Sequence, residues 1–145
     1  DLSFKQYAVD DMVRQVIRKY AKIFISKKIK MNFKPTGRYT VTDDKWFVFV
    51  LEQFISNALK YTKKGQISIY MKEKSLVIED TGIGIPAEDL PRIFEKGFTG
   101  YNGRENKKST GIGLYLCKNI MDKLQWNITV DSEEGSGTKI YLTKM

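Results

Sequence analysis

The chain has 145 residues, 41% of them hydrophobic and 29% charged, with a formal net charge of +8, which is one domain's length and composition. It contains no histidine, which excludes a histidine base, a histidine metal ligand and a phosphohistidine on this chain, and with them Ser–His and Cys–His nucleophilic catalysis. Its single cysteine, Cys117, excludes an internal disulfide framework, and no apolar run approaches the ~18–20 residues of a membrane span.

Ser3 to Val9 reads as a first strand. Asp10 and Asp11 are the expected N-caps of the helix that follows. Met12, Val13, Val16, Ile17, Tyr20, Ile23 and Phe24 recur at three- and four-residue spacing, an amphipathic helix ending near Lys27. Ile29 to Phe33 alternates as a strand, Pro35-Thr36-Gly37 turns the chain, and Tyr39 to Val41 gives a short paired strand. Thr42 or Asp43 caps a longer helix to about Tyr61. Its apolar arc is Phe47, Val50, Leu51, Phe54, Ile55, Ala58 and Leu59, flanked by a polar stripe of Gln53, Asn57, Lys60 and Tyr61. Gly65 suits the helix C′ position. Gln66 to Lys72 and Ser75 to Asp80 form a hairpin of alternating strands.

Pro86 to Leu90 is expected as a short helix, followed by Phe94 and Phe98 as packing residues. Residues 99–110 turn polar and read as a loop over a site. Thr110-Gly111-Ile112-Gly113-Leu114 opens a helix whose apolar face is Leu114, Cys117, Ile120, Met121 and Leu124. Trp126 to Val130 and Thr138 to Leu142 are strands joined by Gly135-Ser136-Gly137. The pattern predicts an α+β two-layer sandwich, three main helices on one face of a mixed, largely antiparallel sheet. The positive charge would suit nucleic acid, an anionic membrane or a phosphate ligand. The lysines are scattered along the chain without a nucleic-acid recognition motif, so no nucleic-acid partner is expected, and a basic, water-facing surface accounts for most of them.

Asp80-Thr81-Gly82-Ile83-Gly84-Ile85 follows the apolar strand 75–79. An aspartate at a strand end can accept from an exocyclic amine, and glycines let a flat ligand approach the backbone. Alone this is also an ordinary turn. Read with Phe-Ile-Ser-Asn-Ala-Leu-Lys-Tyr-Thr (54–62), Ile-Phe-Glu-Lys-Gly-Phe-Thr (93–99), Ser-Thr-Gly-Ile-Gly-Leu-Tyr-Leu (109–116) and Gly-Ser-Gly-Thr (135–138), the whole chain resembles the ATP-binding catalytic domain of bacterial sensor histidine kinases. That domain has the Bergerat-type fold shared with type II topoisomerases, mismatch-repair ATPases and the large heat-shock chaperones. Gln53 and the wording around Lys107 to Lys123 resemble most the kinases of Gram-positive bacteria that sense peptide antibiotics.

The resemblance implies ATP and Mg²⁺ as cofactors. Asn57 would ligate the cation, an amide oxygen being a hard neutral ligand; an asparagine satisfied within its own helix is the plain alternative. Lys60 would reach a phosphate oxygen and Tyr61 would lie against the nucleotide, unless they are a solvated lysine and a core tyrosine. Asp80 would accept from the adenine amino group, with Gly82, Gly84 and Ile85 making room for the base. Arg104, Lys107 and Lys108 would either meet the triphosphate or stay solvated. Thr110, Gly111, Ile112 and Gly113 put backbone N–H groups at a helix N-terminus, a natural phosphate site; Leu114 is core. Gly135, Gly137 and Thr138 would shape the sheet beside the adenine, or form a plain hairpin turn.

The implied chemistry is transfer of the γ-phosphoryl group to a histidine, by positioning and charge neutralisation. No Walker-type loop and no serine/threonine kinase signature is present. ATP-hydrolysing relatives carry a glutamate where this chain has Gln53, which cannot take a proton; Glu52 points about 100° away on a helix. With no histidine, the chain would be one catalytic domain over residues 1–145, inactive in transfer without an acceptor. The expected partners are the dimerisation and histidine-phosphotransfer domain of the same full-length kinase and a downstream response regulator. The parent would be a membrane-anchored homodimer, this domain its monomeric cytoplasmic part. An anti-sigma-type protein-serine kinase and a nucleotide-holding interaction module are the alternatives.

Overall fold

In the computed structural model of the chain, residues 1–98 and 113–145 are described. The elements in order are β1 (Lys5–Ala8), α1 (Val9–Lys27), β2 (Lys30–Phe33), β3 (Tyr39–Thr42), α2 (Asp44–Tyr61), β4 (Gln66–Lys72), β5 (Ser75–Asp80), a 3-10 turn (Leu90–Arg92), α3 (Gly113–Leu124), β6 (Trp126–Glu133) and β7 (Gly137–Lys144). Five strands form one sheet in the order β2-β4-β5-β7-β6, and β1 and β3 form a separate pair. Only β2–β4 is parallel; β4–β5, β5–β7 and β6–β7 are antiparallel. The α+β sandwich expected from the sequence is therefore borne out.

Period-two alternation decides which face is covered. Ile67 and Ile69 of β4, Leu76 and Ile78 of β5, Leu142 of β7 and Ile128 of β6 are buried in one core with the helices. The apolar arc expected for α2, from Phe47 to Leu59, is buried throughout. Phe47 packs edge-on to Trp126 with centroids 5.0 Å apart. Cys117 belongs to the same core, and burial pushes its thiol up to about 12, so it is an inert packing residue. The other face of the sheet buries Val77 between Tyr70 and Tyr141 among polar residues, with Tyr70 donating to Glu79 (2.6 Å) and a Ser75–Thr143 hydroxyl pair (2.6 Å).

Several local expectations change. Asp10 and Asp11 do not cap α1, which begins at Val9 after Ala8 with no side-chain cap. Asp10 reaches instead to the loop after β2, accepting from the Thr36 and Gly37 N–H groups and the Thr36 hydroxyl. Ile23 is 43% exposed, although its neighbour Phe24 is buried in the core. The partner of β3 is β1, antiparallel from Lys5↔Thr42 to Ala8↔Tyr39, with no pairing to β2. Gly65 is no C′ residue: α2 ends at Tyr61 with Thr62 extended, and Gly65 instead accepts from the Lys30 N–H (3.1 Å). Pro86 to Leu90 forms turns leading into the 3-10 segment.

Asp43, by contrast, is the α2 cap that the sequence indicates, accepting from the Trp46 N–H (3.3 Å) and also from the Ser3 N–H (2.8 Å). The Ser3 bond is the main cause holding its carboxyl below the ordinary value, against the opposing effect of burial. A lowered folded-state pKa means that the stabilisation is complete above the unfolded value of 3.8 and is lost as pH falls through the folded value. Asp43→Ala should cost about 1 kcal/mol at neutral pH, and the gap to wild type in urea melts should close below pH 3.8.

Candidate nucleotide site

The end of α2, the loop after β5 and the start of β7 meet at Asp80. Residues 66–67 of β4 and 138 of β7 flank the last residues of β5 in register, so the carboxyl lies where three strands end. Asp80 Oδ1 accepts from the Gly82 N–H at 2.8 Å. Burial raises the carboxyl pKa, and the Gly82 and Thr138 N–H groups counter part of that rise. The result is a part-buried acceptor held in place by backbone donors.

The glycines have an internal reason as well as the one expected from a flat ligand. A Cβ on Gly82 would lie 2.5 Å from the Tyr61 carbonyl oxygen, 2.8 Å from Thr62 Oγ1 and 2.9 Å from Asp80 Oδ1. Gly84 has φ +74°, and its Cβ would run into the Glu133 backbone carbonyl. The loop must approach α2 on one side and the β6–β7 turn on the other, and only glycine permits both. Hydrogen bonds then fix it: Ile83 N–H to Tyr61 O (3.1 Å), Gly135 N–H to Ile83 O (2.7 Å), and Ile85 N–H to Ser132 Oγ (2.9 Å). Ser132 also donates to the Gly137 carbonyl and pairs with the Thr138 hydroxyl, each at 2.9 Å.

On α2, Asn57, Lys60 and Tyr61 are all part-buried. Among the described residues, Asn57 has no side-chain hydrogen bond. Lys60 Nζ lies 5.3 Å from the Tyr61 ring centroid, and burial raises the Tyr61 hydroxyl pKa. Gln53 faces α3, since a Cβ on Gly113 would lie 2.5 Å from Gln53 Oε1. Glu52 turns the other way and pairs with Lys19 of α1 at 2.8 Å. Leu114 and Phe94 pack against the core, while Phe98 lies under the Arg92 guanidinium at 4.6 Å. Arg104, Lys107, Lys108, Thr110, Gly111 and Ile112 lie outside the described residues.

Two residues escaped the sequence reading. Thr62, fully buried beside Gly82, has a hydroxyl without a partner among the described residues, and such an orphan marks a place where a water or ligand atom completes the bonding. It stood inside the 54–62 motif and was legible there. Ser132 had no signal, because its importance comes from a strand that only the fold brings near Ile85.

The residues present fit an adenine at Asp80: a part-buried carboxylate, backbone loops pressed together around it, and a hydroxyl nearby without a partner among the described residues. For a cation the described residues offer no group of three or more His, Cys, Asp or Glu, so Mg²⁺ would need phosphate and water beside Asn57.

Fold and site define a class, the α+β sandwich ATPase domain with its carboxylate at a strand end beside an asparagine-bearing helix. The family described as histidine kinase-, DNA gyrase B-, and HSP90-like ATPase matches residues 42–145, and the chain belongs to it. Sensor histidine kinase YxdK of Bacillus subtilis is 34% identical over 155 aligned residues, covering 100% of this chain and 48% of YxdK. Sensor protein BceS of the same species is 35% identical, covering 99% of this chain and 44% of BceS. Sensor protein kinase GraS of Staphylococcus aureus is 42% identical over 108 residues, 72% of this chain and 31% of GraS. The chain thus spans less than half the length of these curated relatives. These are Gram-positive sensor kinases, as the sequence resemblance indicated. Full-length ShkA in complex with AMPPNP matches with a TM-score of 0.81 at 19% identity, covering 100% of this chain and 32% of ShkA. The nucleotide-free catalytic domain of histidine kinase ThkA matches at 0.79 and 19%, covering 98% of this chain and 95% of that one. At such identity the likeness is one of fold.

Gly84→Ala should lower the unfolding free energy by about 2 kcal/mol or more, through the positive φ and the collision with Glu133. Gly135→Ala, also at positive φ but with nothing within 4 Å of its Cβ, should cost only about 1 kcal/mol. Equal melting shifts for the two would count against the close approach.

Proposed function

We propose that this chain is the ATP·Mg-binding catalytic domain of a sensor histidine kinase. The observation that carries the reading is the part-buried Asp80 carboxylate, pinned by the Gly82 N–H at the point where the β5 loop, α2 and β7 meet. Bound ATP would supply the γ-phosphoryl group for transfer to a histidine on a separate dimerisation domain, in two-component signalling. Asp80 accepts a hydrogen bond from the adenine amino group, which selects adenine over guanine. Tyr61 lies along the nucleotide, Lys60 offers a cation to a phosphate oxygen, and Asn57 offers its amide oxygen to Mg²⁺. Residues 110–113 at the start of the third helix take phosphate oxygens on backbone N–H groups.

Transfer is favoured over hydrolysis by the local carboxylates. The position one turn before Asn57 is Gln53, which holds no proton-accepting carboxylate, and Glu52 is engaged by Lys19 on the far side of α2. With no histidine on the chain, the acceptor is supplied by another domain of a longer kinase. We place this domain on the cytoplasmic side of a membrane-anchored parent, serving a response regulator.

Calorimetric titration of ATP should give binding that Asp80→Asn weakens by about 100-fold or more, the cost of a lost charge-assisted bond in a buried site. Asn57→Asp should change the Mg²⁺ dependence with less effect on metal-free binding. A folded wild type that takes up no ATP overturns the reading.

A further inference from the structure

The net charge is not spread along the chain, as the lysine positions first suggest. From Met12 to Thr42 there are nine Lys or Arg and no Asp or Glu; the rest of the chain nets −1. This segment is β2, β3 and α1 beyond its first turn, which itself carries Asp10 and Asp11. Strand β2 is an edge of the five-stranded sheet and α1 packs against it, so the charge gathers on the flank opposite α3 and β6.

Geometry narrows the set. Lys19 is taken by Glu52 and Lys27 donates to the Leu59 carbonyl, so neither faces outward from this flank. Arg14, Arg18 and Lys22 recur every four residues along α1 and are exposed. Ile25 falls on that same side at 100° per residue and is 77% exposed. Beside the stripe runs a groove of about 410 Å³ lined by Ile17, Ala21, Phe24, Ile25, Ile29 and Met31, with Lys28 and Lys30 also lining it. Two carboxylates adjoin the stripe at its N-terminal end: Asp10, one turn before Arg14, is occupied by Thr36 and Gly37, while Asp11 is exposed on the stripe's own side, two turns before Arg18, so the stripe's positive charge is strongest toward Lys22.

We infer that this flank is a docking surface for an anionic lipid bilayer. The cations do not converge on a point, as they would for one phosphate or one carboxylate, but are spread over a helix side and a strand edge. An isoleucine protrudes among them next to an apolar groove. Negative headgroups over hydrocarbon match that layering of charge and apolar surface. The stripe lies on the exposed side of α1, whereas the buried side of the same helix packs against α2, which carries Asn57, Lys60 and Tyr61.

The test is co-sedimentation of the 145-residue chain with phosphatidylcholine vesicles with and without phosphatidylglycerol, at low salt and at about 0.15 M. Binding should require phosphatidylglycerol and weaken with salt. Arg18→Gln combined with Lys22→Gln should lower partitioning by about 25-fold, fivefold for each charge. Ile25→Ser should lower it by about threefold at unchanged charge. All three residues are exposed, and circular dichroism with ATP titration checks that the fold is intact. Binding without regard to phosphatidylglycerol overturns the inference. So does full displacement by polyaspartate with Ile25→Ser unchanged, which would assign the flank to an acidic protein.

Discussion

A carboxylate taken out of water has to be met by donors, and the architecture around Asp80 is the answer to that demand. The Gly82 and Thr138 N–H groups reach it from the loop that follows its own strand and from the neighbouring strand β7. That arrangement requires β5 and β7 to be adjacent although 57 residues separate the paired positions 80 and 138. It also requires the loop to press against the end of α2, which is why Gly82 can carry no Cβ. Burial raises the affinity of the group for a proton and equally sharpens its preference for a well-placed donor.

Helix α2 links this site to the core. Its apolar arc fills the interior, so the helix cannot rotate without exposing Phe47, Leu51 and Ile55, each fully buried. The polar stripe is thereby aimed. Gln53 faces α3, and Asn57, Lys60 and Tyr61 follow along the same side toward the glycine loop. Core packing thus orients the residues that would hold nucleotide, and the one acidic residue adjacent to Gln53 is turned toward α1. A side chain's chemistry here follows from which side of one helix it occupies.

The flank built by α1 and β2 obeys a different constraint. An edge strand needs some device against pairing with other chains, and Lys30 and Lys34 supply one. That need alone does not account for the α1 stripe or for an isoleucine left 77% exposed. Along the chain the excess positive charge is concentrated in residues 12–42, while the remaining residues net −1.

Much of the molecule was legible in the residues themselves, because periodicity records burial. The arcs of α2 and α3, the β4–β5 hairpin to the residue, and the Asp43 cap all depend on local spacing or on a side chain three residues from its partner. The motifs at 54–62 and 80–85 indicated the family for the same reason, each being contiguous. What the tertiary structure decided lies between segments. Asp10 has the right type and place for a cap, but three donors from residues 36 and 37 lie closer to hand. Gly65 looked like a helix terminator and is instead fitted against Thr81. β3 crossed to β1 rather than pairing with β2. Ser132 matters only because a strand distant in sequence brings it to the Ile85 N–H beside Asp80. Sequence determines which face of an element avoids water; which other element covers that face is chosen by packing and by the hydrogen bonds that buried backbone must find.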